Sequence, residues 1–247
     1  MTEFTLGIAG RVINVRAMFD STGRYCEKYL CSGEPDFSVE VTPEDITFER
    51  EKSAREDALE GLPARAYSDA HLETTALLRK IAEGLFDYDT LLFHGSVVAV
   101  DGEAYLFTAK SGTGKSTHTR LWREVFGERA VMVNDDKPFL RVSETGVTAC
   151  GSPWNGKHRL GTNIRVPLKA ICILERGAEN RIREIPPQEA LHMLLQQSNR
   201  PLGARRMPKY LDLIDGLSGR VRFYRLECNM DPQAASVAYN AMSGARK

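Results

Sequence analysis

One stretch of the chain has the residue types and spacing that hold the phosphates of a nucleotide. The segment AKSGTGKS, residues 109–116, follows the pattern [AG]-x-x-x-x-G-K-[ST]. Gly112 and Gly114 let successive backbone N–H groups turn toward an anion, and a helix beginning at Lys115 directs its positive dipole end to the same place. Lys115 is expected to reach the β- and γ-phosphates, and the Ser116 hydroxyl to ligate Mg²⁺. The residues expected to bind the nucleotide are Ser111, Gly112, Thr113, Gly114, Lys115, Ser116 and Thr117.

An acidic pair follows this loop. Asp135 and Asp136 close the apolar run AVMVN, and acidic residues in that position organise Mg²⁺ at bound phosphates. A pair can do more, because one carboxylate can support the metal while its neighbour takes a proton from an acceptor hydroxyl. A solvated turn before Lys137 is the alternative, and the preceding phosphate loop favours a functional interpretation.

Two further segments carry candidate residues. His94 interrupts the apolar run TLLFHGSVVAV, where a lone histidine is more often a satisfied core residue. The segment CGSPWNGKHRLGTN, residues 150–163, has the glycine, proline and asparagine of a rigid loop together with clustered basic residues. Such a loop suits an anionic group of a substrate, but a surface turn with solvated charges fits equally well. The candidate substrate-binding residues are Trp154, Lys157, Arg159 and, more weakly, Arg200.

The elements that must position these residues form an α/β pattern. Strand-like runs occur at TLLFHGSVVAV, EAYLFTA, AVMVN, PFLRV, GVTACG, LKAICILER and RIREI. Helical patterns follow at PPQEALHMLLQQS, PKYLDLIDGL and DPQAASVAYNAM. Because regular β-α-β alternation is absent from this pattern, a mixed sheet around one phosphate loop is favoured over a doubly wound parallel sheet.

The N-terminal part has a different pattern. Period-two alternation in FTLGIAGRVINVRAMF, FSVEVT and ITFERE predicts a small β-rich lobe over residues 1–60. The polar run EREKSAREDALEGLPAR marks a composition change and a joint, and an amphipathic helix is expected in SDAHLETTALLRKIAEGLF. Residues 61–247 are therefore predicted to form the core that carries the phosphate loop.

Composition excludes several classes of function. The 247 residues are 42% hydrophobic and 27% charged with a formal net charge of zero. This balance gives no electrostatic reason to expect a nucleic-acid or membrane partner. The apolar runs are too short to span a bilayer, and the N-terminus has no secretory-signal pattern. The five cysteines include no C-x-x-C pair, so we expect reduced structural thiols in a cytoplasmic protein.

Together these motifs resemble the HPr kinase/phosphorylase family, which shares its fold with ATP-dependent PEP carboxykinase. The resemblance lies in FHGSVVAVDGEAYLFTAKSGTGKST and VMVNDD, roughly residues 90–140. The loop GSPWNGK resembles that of the uncharacterised and lasso-peptide-precursor kinase relatives. The bifunctional members carry a Glu-x-Arg-Gly-Leu-Gly signature that this sequence lacks, so the resemblance implies neither phosphorolysis nor HPr as acceptor.

The resemblance implies a PEP carboxykinase/HPr kinase-like P-loop core with a mixed sheet, and ATP-dependent phosphoryl transfer with Mg²⁺. It implies Asp136 as the base near the acceptor with His94 beside it, and Asp135 as support for the Ser116-bound metal. Lys115 would act on the transferred phosphoryl group. The acceptor would be a hydroxyl of a protein, a peptide or a small molecule. The alternative function is an NTP hydrolase or a nucleotide-gated regulatory protein, and the sequence leaves the acceptor and the oligomeric state open.

Overall fold

The computed structural model describes residues 1–59 and 61–244. By its internal contacts the chain divides into two compact units, Met1–Leu85 and a second that begins at Phe86. The sequence prediction placed the domain boundary at residue 60. The contact boundary lies later because the helix Asp69–Phe86 bonds to N-terminal residues, as when buried Glu73 accepts from the Phe19 amide at 3.2 Å.

The first unit combines a three-stranded sheet with helices. Strand β1 (Thr2–Ile8) pairs antiparallel with β2 (Arg11–Ala17), which pairs in parallel with β3 (Phe37–Glu40). Its helices are α1 (Asp20–Tyr25), α2 (Pro43–Leu59) and α3 (Asp69–Phe86).

The strand predicted at ITFERE is wrong, because these residues lie within α2. Pro43 occupies the first turn, and the Asp45 carboxylate accepts a 3.0 Å hydrogen bond from the Thr42 amide, which is a helix-starting arrangement. Much of the predicted joint continues the same helix. Its buried Asp57 is bonded to the Arg65 side chain.

The second unit is a mixed sheet with helices on both faces. The strands are β4 (Thr90–Leu92), β5 (Ser96–Val100), β6 (Glu103–Thr108), β7 (Ala130–Asn134), β8 (Phe139–Ser143), β9 (Gly146–Cys150), β10 (Arg165–Arg176), β11 (Arg181–Ile185) and β12 (Arg222–Cys228). The helices are α4 (Lys115–Phe126), α5 (Pro187–Gln197), α6 (Met207–Arg220) and α7 (Gln233–Met242). The prediction of a mixed α/β fold is confirmed.

The strand order is β4-β8-β9-β10-β6-β5-β7, with β12 also beside β10 and β11 beside β12. Successive side chains of the central strands alternate between two hydrophobic cores. Val97 and Leu106 belong to the core that includes residues of α5 and α6. Val98 and Phe107 belong to the core that includes residues of α4 and α7.

Strand directions determine which chain segments meet at one edge. β6 is parallel to β10, and β10 is parallel to β12, whereas β5 is antiparallel to both β6 and β7. The C-terminal ends of β6, β7, β10 and β12 therefore lie at the same edge as the N-terminal end of β5. The phosphate loop, the Asp135–Asp136 pair and His94 all lie at this edge.

Candidate functional site

The phosphate loop lies between β6 and α4, as the motif predicts. Gly112 and Gly114 have φ values of +74° and +119°, which favour glycine. Gly114 precedes the first helical residue, Lys115. The amides of the loop and of the first helical turn thus lie where the helix dipole favours an anion. Lys115 Nζ donates to the Ala109 carbonyl at 3.4 Å, so this ammonium group lies against the loop.

Asp135 is buried at the end of β7, with a relative exposure of 7%. Its Oδ1 accepts a 2.7 Å hydrogen bond from Ser96 Oγ, and Ser96 Oγ lies 2.8 Å from Thr119 Oγ1. Because the single Ser96 hydroxyl hydrogen goes to the carboxylate, Thr119 is the donor to Ser96. This chain of hydrogen bonds joins Asp135 to the helix that follows the phosphate loop.

The segment after β9 packs against Asp135. A Cβ atom added at Gly156 would lie 2.9 Å from Asp135 Oδ2. Asn155 Oδ1 also lies 3.4 Å from the Asp135 amide. Glycine is therefore the residue at 156 that leaves room for this carboxylate.

Asp136 is half-exposed beside His94 and Lys137. Its Oδ1 lies 3.4 Å from His94 Nε2 and 3.2 Å from Lys137 Nζ. Burial lowers the pKa of His94 to about 4, and nearby Lys137 and Lys115 act in the same direction against Asp136. His94 is therefore neutral at pH 7. Burial also lowers the pKa of Lys115, opposed by the Asp136 carboxylate.

His94 does not lie inside a strand, although the sequence pattern placed it in one apolar run. The run is divided into β4 and β5, which pair with different strands. The chain passes between them at His94 and Gly95. The Gly95 amide donates to the Asp136 carbonyl at 3.1 Å, and an added Cβ there would lie 3.1 Å from the Phe107 carbonyl oxygen. The crossing thus requires close backbone approach, for which glycine is suited.

Asn134 supports the acidic pair, and sequence reasoning missed it. Its Oδ1 accepts from the amides of Asp136 and Lys137 at 2.8 and 2.7 Å. Its Nδ2 donates to the carbonyls of Ser152 and Trp154 at 3.1 and 3.3 Å. The side chain is fully buried. It holds the Asp135–Asp136 turn and the segment after β9 in one arrangement. Its place directly before the acidic pair was the available signal.

The predicted substrate-binding residues lie in different environments. The Trp154 side chain is buried, with 6% relative exposure, so this residue is part of the support under Asp135 and Asp136. Lys157 and Arg159 are exposed in the same loop, and Arg159 has a positive φ of +48°. Arg200 is exposed. It follows Asn199, whose amide donates to the Leu92 carbonyl at 2.9 Å. Trp154, Lys157 and Arg159 therefore belong to the segment that packs on Asp135, whereas Arg200 belongs to a different segment.

Arg176 is a second residue that sequence reasoning missed. It ends β10, next to β6 in the sheet, and its Nη2 donates to the Gly112 carbonyl at 2.6 Å. Two cavities open beside it. One, of about 460 Å³, has a charged lining that includes Lys110, Glu175 and Glu189. The other, of about 540 Å³, lies on the α4 side of the loop. Nothing in the sequence near Arg176 marks it as a neighbour of the phosphate loop.

In residues 1–59 and 61–244, no cluster of three or more histidine, cysteine, aspartate or glutamate side chains has the geometry of a metal site. The same part of the chain contains no helix with the length and hydrophobicity that crossing a bilayer requires.

Comparison with known proteins gives a family and a distant likeness to solved structures. No curated protein matches the chain. Among solved structures, the chain is similar to the Hpr(Ser) kinase/phosphatase from Coxiella burnetii, with 11% sequence identity and a TM-score of 0.38. That match covers 62% of this chain and 97% of the other. The family model described as SynChlorMet cassette protein ScmC matches residues 68–230, which is more than half of the chain. The chain therefore belongs to the ScmC family of SynChlorMet cassette proteins.

Proposed function

We propose that this protein is an ATP-dependent kinase that transfers the γ-phosphoryl group to a hydroxyl acceptor, with Mg²⁺. We further propose that its second unit is a P-loop core of the HPr kinase and PEP carboxykinase kind. The observation that carries the proposal is the shared sheet edge. There the phosphate loop, the Asp135–Asp136 pair and His94 meet at the ends of neighbouring strands.

The residues at this edge fit a magnesium–nucleotide complex. Gly112 and Gly114 adopt the backbone conformations of an anion-binding loop, and Lys115 lies beside it. The exposed Ser116 hydroxyl and the fixed Asp135 carboxylate are hard oxygen donors, which Mg²⁺ prefers. The metal, when bound, would neutralise charge on the β- and γ-phosphates. Ser96 holds Asp135 in the orientation that this role needs.

Asp136 is the proposed general base. Its Oδ1 is occupied by contacts with His94 and Lys137, so we place the acceptor hydroxyl at Oδ2. Asp136 takes the hydroxyl proton as the hydroxyl oxygen forms a bond to the γ-phosphorus, and the bond from that phosphorus to the β,γ-bridging oxygen breaks. Neutral His94 adds no positive charge that would weaken the base. It is proposed to orient Asp136 and the acceptor.

Part of the proposal concerns the acceptor. Lys157 and Arg159 lie in the loop that packs on Asp135, close in the chain to Gly156. Their charges suit an anionic group on a peptide, a protein or a small molecule. Arg200 is a weaker candidate for the same role.

The test uses Asp136→Asn. Wild-type protein is incubated with γ-labelled ATP, Mg²⁺ and a fractionated lysate of the native host, and the labelled product is identified. We expect Asp136→Asn to lower product labelling by at least about a hundredfold while ATP affinity by calorimetry stays within a few-fold of wild type. The matched control is Asp212→Asn, an exposed aspartate on α6, which should label at the wild-type rate.

Two outcomes would contradict the proposal. Wild-type labelling by Asp136→Asn would exclude this residue as the base. Fast release of labelled inorganic phosphate by the wild type, with no labelled acceptor in any fraction, would favour an NTP hydrolase.

A further inference from the structure

The larger cavity beside the phosphate loop is lined by apolar and uncharged polar side chains together with one charged side chain, Arg176. It measures about 540 Å³ and lies between the first turns of α4 and the ends of β10 and β12. Leu121, Leu174 and Met230 give it apolar walls, and Gly112 and Gly114 bring it up to the phosphate loop. A ligand group attached to loop-bound phosphates can therefore continue into this cavity.

His118 supplies a buried donor to this lining. Its side chain is 2% exposed. Its Nε2 accepts a 3.0 Å hydrogen bond from Trp122 Nε1, so the ring is neutral and carries its proton on Nδ1. Nδ1 is buried and has no hydrogen-bond partner. Because buried donors are nearly always paired in folded proteins, this N–H indicates an acceptor supplied from outside the chain.

The His118 ring is held in place by its neighbours. Phe107 packs against it edge to face, with ring centroids 4.6 Å apart. Trp122, one turn later on α4, occupies Nε2 and so leaves the ring proton on Nδ1. Hydrophobic packing alone would not require a histidine here. The arrangement leaves one buried N–H without a partner, on a residue that lines the cavity beside the phosphate loop.

The smaller cavity differs in its chemistry. It shares Leu174 and Arg176 with the larger cavity, but its lining adds the charged side chains Lys110, Glu175, Glu189 and Arg225, and Arg225 is paired with Glu175. A charged lining suits a polar or charged ligand better than an aromatic ring system. Of the two cavities, the one that contains His118 matches a nucleobase and its sugar.

We propose that the cavity lined by Leu121, Leu174 and Met230 takes the purine nucleoside of the nucleotide, and that His118 Nδ1–H donates a hydrogen bond to a nucleoside acceptor atom. This inference rests on the proposed function, because the phosphate loop must hold the attached phosphates. It adds a nucleoside-binding site and a residue that lets the protein prefer ATP over the phosphates alone.

The test separates the two nitrogens of His118. His118→Gln keeps an acceptor at the place of Nε2, and so keeps the bond from Trp122, but has no donor at the place of Nδ1. His118→Asn places an amide donor at Nδ1 and removes the acceptor for Trp122. The Kd values of MgATP and of magnesium tripolyphosphate are measured by calorimetry for wild type and both variants. Thermal unfolding of each variant is recorded beside them.

We expect the wild type to bind ATP at least about tenfold more tightly than tripolyphosphate. His118→Gln should lose about tenfold of ATP affinity, the size of one hydrogen bond, with tripolyphosphate affinity unchanged. His118→Asn should retain the preference for ATP despite a lower Tm. Arg120→Ala, an exposed change on the same helix, should match wild type with both ligands.

The outcomes separate this inference from the kinase proposal. If the wild type binds ATP and tripolyphosphate equally, or if His118→Gln keeps the full preference for ATP, the nucleoside site is wrong and the phosphate loop stands. If the wild type binds neither ligand, the donor site of the proposed kinase is itself wrong, and the nucleoside site is wrong with it. His118→Gln keeps the bond to Trp122, so the test does not depend on the folding of His118→Asn.

Discussion

Ser96 Oγ donates a 2.7 Å hydrogen bond to Asp135 Oδ1 in the interior of the second unit, whereas the neighbouring Asp136 is half-exposed beside His94. The two adjacent carboxylates therefore have different environments. The buried one is fixed in orientation, and the exposed one can meet an incoming acceptor. This difference supports the proposed division, in which Asp135 supports the metal and Asp136 is the base.

The first prediction concerns Ser96. Ser96→Ala removes the donor that orients Asp135, and we expect the gain in ATP affinity that Mg²⁺ provides to fall by about tenfold, the size of a charge-assisted hydrogen bond. ATP titrations with Mg²⁺ and with EDTA measure this gain. Ser143→Ala, an exposed change on β8, is the control. An unchanged Mg²⁺ effect in Ser96→Ala would show that this bond does not position the metal ligand.

The second prediction concerns the space around Asp135. Gly156→Ala places a Cβ 2.9 Å from Asp135 Oδ2, so the carboxylate must move. We expect phosphoryl transfer to fall by about a hundredfold, since small displacements of catalytic geometry have effects of that size. Gly219→Ala is the matched control, because an added Cβ there meets no atom within 4 Å. Wild-type transfer by Gly156→Ala would contradict a fixed position for Asp135.

The third prediction concerns stability. Asn134→Ala removes a buried side chain whose two ends bond to the Asp136 amide and to the Ser152 carbonyl, and it takes away the hydrogen-bond acceptor of the Asp136 amide. We expect the free energy of unfolding to fall by about 3 kcal/mol. Urea unfolding measures it. Asn240→Ala, exposed on α7, should change it by less than about 0.5 kcal/mol. A similarly small loss in Asn134→Ala would show that the backbone holds the turn without this side chain.

The fourth prediction separates the loop from the nucleoside cavity. Arg176→Lys replaces a guanidinium that donates to the Gly112 carbonyl at 2.6 Å with a group that lacks its fixed planar geometry. We expect ATP and tripolyphosphate affinities to fall together, by about three- to tenfold. Calorimetry with both ligands checks this, and His118→Gln provides the contrast. Loss of ATP affinity alone would mean that Arg176 acts on the nucleoside and not on the loop.

The fifth prediction concerns pH. Burial lowers the pKa of His118 from 6.5 to about 4, so the folded protein binds fewer protons than the unfolded chain between these values. The associated stability is fully present above pH 6.5 and is lost as the pH falls toward 4. For His118 the loss is on the order of 3 kcal/mol. The pKa of His94 is lowered in the same direction, with a smaller contribution because its side chain is partly exposed.

Urea unfolding at several pH values between 6.5 and 4 measures this effect. His118→Gln should lose less stability over that window than wild type, since glutamine does not titrate. Asp45 and Asp101, whose pKa values are lowered to about 2 by their hydrogen bonds to basic and hydroxyl groups, affect stability mainly at lower pH. Equal losses in the variant and in wild type would show that His118 is not the titrating group.

Local patterns predicted well those features that depend on contiguous residues. The motif at residues 109–116 predicted the strand before the loop and the helix after it, because these elements follow directly from residue size, backbone freedom and apolar spacing. The strand ITFERE was wrong because alternation over so few residues does not distinguish a strand from the first turns of a charged helix that begins at Pro43. The division of TLLFHGSVVAV into two strands was missed, since both halves are apolar and only their different partners separate them.

The sequence by itself determined a glycine-rich loop between a strand and a helix, an acidic pair at a strand end and a mixed α/β fold. Only the tertiary structure decided which distant residues lie beside them: Ser96 bonded to Asp135, Arg176 bonded to the loop, and His118 lining a cavity with its buried donor unpaired. The physical reason is strand order. Pairing of β6 with β10 and β5 joins segments far apart in the chain at one edge, and burial there gives neighbouring carboxylates and histidines different chemistry.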